Sequence, residues 1–409
     1  MNSYSSSLQH IPGLDGVRGL AALLVMLLHM TVMIPDTPAQ ESIFTIMSAG
    51  WIGVDLFFVL SGTLITGILL DSKVKEDGYF LPFYTRRVLR IFPLYYALLV
   101  FSFYLLPLFH HPKLDHFSRV TGDEMWYWLF VSNFKMAMAG GPRHGIMDVT
   151  WSLAIEEQFY IVWPLLVYVL TRGALVKTCV AMIAGSFALR VAMHFAGYEP
   201  FSIYVITPAR LDGLCAGALV AIGLRSVNTT QLDQMATGAL AGGGIATGAV
   251  AFVSRGLPWD GALVQTAGYA SVAAMFAGLV LKTALQNKAG GLINRVMRLR
   301  FLITLGFYSY AIYLFHLPLR AVLRDTVLKP ETFPLFPGGV LAAQLVFYIA
   351  GIPLVAAAAW LSYHLWEKHF LRLKSRLVFK GARKVNAPPG CQLADASANA
   401  RADAVNQPK

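Results

Sequence analysis

The chemistry-bearing residues of this chain lie inside apolar runs. Arg18 and His29 are eleven residues apart within one such run. On a helix that is about three turns, so the two share a face and stand roughly 16 Å apart along the axis. An imidazole has a near-neutral intrinsic pKa and is suited to taking a proton from a hydroxyl. The ordinary alternatives are a snorkelling arginine and a hydrogen-bonded packing histidine. A second run opens with Trp151-Ser152-Leu-Ala-Ile-Glu156-Glu157-Gln158-Phe159-Tyr160 and carries two adjacent carboxylates. Neighbours on a helix point about 100° apart, so both cannot face one partner. Acidic groups in a first turn complement the helix dipole, but that does not account for two carboxylates entering an apolar span. A third cluster is Tyr84-Thr-Arg86-Arg87-Val-Leu-Arg90-Ile-Phe-Pro93. Arg87 and Arg90 lie close together on one helix face and can grip phosphate bidentately. Ordinary anchoring against anionic lipid is the alternative.

Further polar residues in apolar surroundings are Asp15, Asp55, Ser61, Arg210, Asp212 and His316. Ionisable groups are costly in hydrocarbon, so each is a functional candidate. Ser309, Tyr313 and His316 fall on one helical face. Arg210 and Asp212 suit ion pairs with other spans. Asp55 either serves Arg210 or caps local structure.

The elements that hold these residues follow from composition. Of 409 residues, 56% are hydrophobic and only 13% charged, about half the charge of a soluble domain. A water-soluble enzyme is excluded, and so is disorder for most of the chain. Ten apolar segments emerge, at about 14–34, 50–70, 91–109, 154–171, 175–195, 204–224, 236–253, 262–281, 301–321 and 339–363. Each approaches the length needed to cross about 30 Å of hydrocarbon as a helix, and helices satisfy their own backbone there. The fold class expected is an all-α integral membrane bundle of about ten transmembrane helices.

The net charge of +11 resides between the apolar runs. It reads as cytoplasmic anchoring rather than nucleic-acid binding, and it places both termini in the cytoplasm. Residues 1–10 form a short tail without Lys or Arg, unlike a secretory signal. Residues 11–370 form the membrane domain, and 371–409 a basic, then disordered, cytoplasmic tail. Residues 110–150 read as a long loop with His110, His111, His116 and His144, whose aromatic stretch Met125–Phe134 is suited to the interface. Cys179, Cys215 and Cys391 are solitary, which gives neither a disulfide framework nor a metal or redox spacing.

Four motifs in order resemble the membrane-bound acyltransferase-3 family, over about Ile11 to Phe370. They are Leu14-Asp15-Gly16-Val17-Arg18-Gly19-Leu20-Ala21 with His29 completing Arg-x10-His; Gly53-Val-Asp55-Leu-Phe-Phe58-Val-Leu-Ser61-Gly62; Arg87-x-x-Arg90 with Ile91 and Pro93; and Trp151-Ser152-Leu153 leading to Glu156-Glu157-Gln158-Phe159-Tyr160. Arg210-Leu-Asp212-Gly-Leu is a weaker fifth. Thr63 stands where the family usually has an aromatic residue, and Ala154 where a Ser is common; these departures bear on specificity more than on activity.

The resemblance implies a multi-pass protein of the bacterial inner (cytoplasmic) membrane. Its activity would be transfer of an acyl group, acetyl above all, from cytoplasmic acyl-CoA to a hydroxyl of a cell-surface carbohydrate such as O-antigen, exopolysaccharide or peptidoglycan. No tightly bound cofactor and no metal are expected, acyl-CoA being a co-substrate. His29 would be the catalytic base, oriented by Glu156 or Glu157, or a transient acyl carrier. Arg87 and Arg90, with Arg18, would bind the donor, and Arg210 or a backbone N–H would stabilise the oxyanion. Asp15, Asp55, Ser61, Trp151, Ser152, Tyr160, Asp212 and His316 would bind substrate or support the site. Some relatives carry a fused periplasmic domain, so this chain is expected to act alone or with a separate extracytoplasmic partner. Competing classes are a transporter or flippase, which would release no CoA, a glycan-binding assembly partner without turnover, and transfer to a glycolipid or small molecule.

Overall fold

The computed structural model describes residues 11–74, 78–109, 122–142, 145–285 and 291–373. Among these residues the chain is helical with no strand. Helix α1 (Pro12–Met30) starts on a proline, whose fixed φ suits a first helical position. Helix α2 (Pro38–Ser48) is capped by Thr37, which accepts from the Gln40 N–H. It leads through one tight turn into α3 (Ile52–Val74). Helix α4 (Phe80–Val100) continues through irregular turns to Phe109. Short α5 (Glu124–Trp128) and α6 (Ser132–Ala139) precede α7 (Trp151–Val169) and α8 (Arg172–Phe195). Then come α9 (Pro200–Val205), α10 (Leu211–Gly223), α11 (Thr229–Val253), α12 (Tyr269–Leu285) and α13 (Leu292–Met297). The described chain closes with α14 (Arg300–Phe307), α15 (Ser309–Val322) and α16 (Gly339–Ser362).

Seven helical stretches are long and apolar enough to cross a membrane, and α14 with α15 makes an eighth if that bent pair is one span. This is a multi-pass helical membrane protein. The break between α14 and α15 turns the path by 79°. The segment expected at 204–224 is not one helix either. Pro208 lacks an N–H and sits in a tight turn at Thr207–Ala209, so only the 13 residues of α10 run on as α-helix.

Two other expectations are corrected. The connection at 35–49 is mostly helix α2 rather than loop. The third span starts at Phe80 instead of residue 91, so Arg86, Arg87 and Arg90 ride on α4 rather than preceding it. Their aliphatic stems let a charged stretch pack as helix, which hydropathy alone does not register. The aromatic stretch 125–134 packs on α4. Phe130 stacks on Tyr95 at 4.3 Å, and the Tyr95 hydroxyl donates to the Tyr127 carbonyl at 2.8 Å. His110, His111, His116, His144 and the tail beyond Leu373 lie outside the described residues.

Several helix pairs touch backbone to backbone, α1 with α14 and α3 with α10 among them. A Cβ on Gly19 would stand 1.9 Å from the Leu302 carbonyl oxygen, and one on Gly306 1.8 Å from that of Asp15. This joins α1 to α14. On the other side, Gly62 of α3 meets Leu214 of α10 at 1.9 Å by the same measure. Small residues are how helices approach closely where hydrocarbon surrounds them. The two contacts fix α1, which carries Asp15, Arg18 and His29, and α3, which carries Asp55 and Ser61.

Candidate active site

His29 lies in the last turn of α1 and is half-buried. Its Nδ1 is 3.0 Å from the Val25 carbonyl oxygen and 3.2 Å from Nε2 of His316 on α15. Nδ1 of His316 is 2.6 Å from the Tyr313 carbonyl oxygen. A carbonyl only accepts, so each Nδ1 carries the proton. His29 Nδ1–H is then shared between Val25 and the lone pair on His316 Nε2. That leaves Nε2 of His29 with its lone pair free, and no hydrogen bond reaches it among the described residues. Tyr313 continues the chain: its hydroxyl lies 2.5 Å from Ser152 Oγ and 2.8 Å from the Val149 carbonyl. His316 is fully buried, whereas the imidazole it faces is only half-buried.

Neither glutamate orients His29. Glu156 accepts from Ser61 at 2.8 Å and from the Tyr160 hydroxyl at 2.9 Å. The guanidinium of Arg87 stands over the Tyr160 ring at 5.1 Å. Glu157 is buried, with Oε1 lacking a partner. The two carboxylates diverge as helix geometry requires, but they serve the arginine end of the bundle. Arg18 pairs with Asp15 at 2.7 Å and reaches Glu156 and Arg90 electrostatically. Arg90 is exposed, one turn along α4 from Arg87. The structure therefore gathers Asp15, Arg18, Ser61, Arg87, Glu156 and Tyr160 into one polar centre. His29, His316 and Ser152 belong to another.

A third centre is closed. Arg210 donates to Asp55 at 2.9 Å, and Arg190 pairs with Asp212 at 2.8 Å, with all four side chains sealed from the surface. The Arg210 guanidinium stands 4.2 Å from the Tyr269 ring centre and 5.1 Å from that of Tyr204, with Trp151 at 6.0 Å. Asp55 thus serves Arg210 and does not merely cap. An arginine enclosed this way stabilises the junction of α3, α8 and α10, and does not present itself to a reacting oxyanion.

Beyond His29 the chain borders a cavity of about 750 Å³, lined in part by Thr31, Phe44, Arg320, Arg324, Lys329 and Glu331. Arg320 lies one turn beyond His316 on α15 and acts electrostatically on both imidazoles. Arg320 and Arg190 were missed by sequence reasoning. Both are ionisable residues within predicted spans, at 301–321 and 175–195, so the signal that raised His316 was available for them as well. No group of three or more His, Cys, Asp or Glu is placed to hold a metal among the described residues.

A family model described as an acyltransferase domain, acyltransferase family 3, matches residues 11–364. The chain is similar to YrhL of Bacillus subtilis (strain 168), 31% identical over 225 residues, covering 52% of this chain and 33% of that protein. It is similar to the peptidoglycan O-acetyltransferase OatA of Listeria monocytogenes, 31% identical over 231 residues, covering 53% and 34%. The O-acetyltransferase OatA of Staphylococcus aureus (strain NCTC 8325 / PS 47) is 30% identical over 225 residues, covering 52% and 34%. The match spans about a third of each relative's length. No solved structure matches the chain.

Proposed function

The chain belongs to the membrane-bound acyltransferase-3 family, and on that premise we propose that it moves an acyl group, acetyl in the simplest case, from cytoplasmic acyl-CoA to a hydroxyl of a cell-surface carbohydrate. The observation that carries this reading is the free Nε2 lone pair of His29, held by a tautomer that two backbone carbonyls dictate. An alcohol is a weak nucleophile until a base takes its proton. Nε2 of His29 removes the acceptor hydroxyl's proton as its oxygen attacks the thioester carbonyl. The positive charge on His29 is shared through Nδ1–H with the Nε2 lone pair of His316. When the tetrahedral intermediate collapses, the carbon–sulfur bond breaks, and the proton on His29 passes to the departing thiolate. The products are the carbohydrate ester and free CoA.

The donor end of this reading rests on Arg18, Arg87 and Arg90 at the opposite end of α1 and α4. Fixed guanidinium groups suit the phosphates of CoA. The names of the relatives make peptidoglycan one acceptor to try, beside O-antigen, exopolysaccharide and glycolipid. With the Lys and Arg bias of the loops, both termini and the donor site face the cytoplasm, the protein residing in the inner membrane. The test is thiol release by the purified protein with acetyl-CoA and glycan extracts. Acceptor-dependent release that disappears in His29→Ala is expected. No release with any donor, from folded protein, overturns the reading in favour of transport without covalent chemistry.

A further inference from the structure

The cavity beyond His29 has a charge pattern that the transfer step itself does not require. Three cationic side chains line it, Arg320, Arg324 and Lys329, against Asp325 and Glu331. Arg324 is fully engaged: it donates through two nitrogens to both oxygens of Asp325, at 2.5 and 2.9 Å. Arg320 is not. Its Nε is buried without a hydrogen-bond partner, and no carboxylate lies within ion-pair distance of its guanidinium among the described residues. A guanidinium left so in a cleft is held ready for an oxyanion, since burying it otherwise brings no compensating bond. Its place matters as much as its charge. Arg320 sits one helical turn past His316, on the face of α15 that holds the dyad, and borders the same cavity as Thr31 and Val32, which follow His29 along the chain. Its stem is rooted in the element that positions the base, so the distance between anion and base is fixed by one helix.

We propose that Arg320 selects the acceptor, binding an oxyanion carried by the saccharide close to the hydroxyl that is delivered to His29. The preferred acceptor is then an anionic sugar rather than a neutral one, and Arg320 is a specificity-determining residue. This rests on the reading of the site as an acyltransferase. The anion is either a carboxylate or a phosphate, which a guanidinium holds alike.

The experiment compares matched acceptors with the full chain in detergent and acetyl-CoA as donor. The carboxylate pair is the disaccharide N-acetylglucosaminyl-N-acetylmuramic acid and its methyl ester. The phosphate pair is N-acetylglucosamine 1-phosphate and N-acetylglucosamine. Thiol release gives kcat/KM for each, and calorimetric titration without donor gives binding. The charged member of one pair is expected to exceed its neutral partner by about tenfold or more, the worth of a charge-assisted hydrogen bond. Which pair responds identifies the anion. Arg320→Gln should collapse that ratio to near one, the ratio being the readout because loss of this charge also acts on the two imidazoles, and Arg320→Lys should restore part of it. Equal use of both members of each pair by the wild type overturns the proposal without any variant. So does an Arg320→Gln loss that falls equally on charged and neutral acceptors, which would assign Arg320 a role in the transfer itself. If no acceptor elicits thiol release, yet the wild type binds the charged saccharide and Arg320→Gln does not, the selection stands and the acyltransferase reading falls. Absence of both release and binding overturns both.

Discussion

At the scale of the residue, the proposed function turns on which nitrogen of His29 is free. A general base contributes about 10²–10⁴ in rate, so His29→Ala should lower kcat by that order, with the protein still eluting as a folded species. His316→Ala should lower kcat about tenfold to a hundredfold and leave the KM for acetyl-CoA near its wild-type value, because His316 reaches the proposed reaction only through the base. Steady-state kinetics with each substrate varied separates the two, and a KM change without a kcat change would count against the dyad. Arg87→Ala is expected to act the other way, raising the KM for acetyl-CoA about tenfold with a dependence on salt. His29 was legible in the sequence because an imidazole eleven residues from Arg18 stands out in an apolar run. Its partner was not. His316 is 287 positions away, and the pairing habits of histidine favoured the two glutamates, which helix divergence and the nearby arginine draw to the other end of the bundle. The pairing of Asp55 with Arg210 was open in the sequence as a matter of charge alone, since opposite ions in hydrocarbon seek each other.

At the scale of the element, the prediction concerns the closed ion pairs. Removing one partner of a buried pair costs about 3–5 kcal/mol, so Asp55→Asn should lower the thermal transition in detergent substantially. The double variant Asp55→Leu/Arg210→Met should recover much of that loss, as apolar replacements of buried pairs often do. A double variant as unstable as the single one would mean that the pair does more than satisfy itself. Glycine contacts give a second test. Gly19→Val places its side chain against the Leu302 carbonyl and should cost at least the 1–3 kcal/mol typical of overpacking. Gly248→Ala, where nothing lies within 4 Å, should be neutral or slightly stabilising. Hydropathy located the helices well because hydrocarbon admits little else. It misjudged their ends where long cationic side chains pack as helix, as at Arg86 to Arg90, and where a single proline breaks a run that remains apolar, as at Pro208. The turn between Phe307 and Ser309 left no such mark, since no proline stands at it.

At the scale of the whole molecule, the charge bias predicts a definite topography. A cysteine at position 331, at the cavity rim, should react with an impermeant maleimide in intact spheroplasts. Thr230→Cys, in the first turn of α11, should react only after permeabilisation. The reverse pattern would invert the bundle and with it the assignment of donor and acceptor ends. Cys179 and Cys215 are buried and should contribute little background. The relatives extend well beyond the matched third of their length, so reconstitution with acetyl-CoA and acceptor alone asks whether this chain delivers the acyl group unaided.

The glycine seam between α1 and α14 has a mechanical corollary. Where main chain rests on main chain there is no cushion of side chains to compress and no rotamer to swing, so the joint has almost no compliance. Helix α1 carries both Arg18 and His29 on one such stiff rod. A rocking machine needs its two halves to slide along a soft interface, and here the rod that would have to slide is keyed to its neighbour. On the proposed reading, what moves is the acyl arm, threaded past a fixed axle.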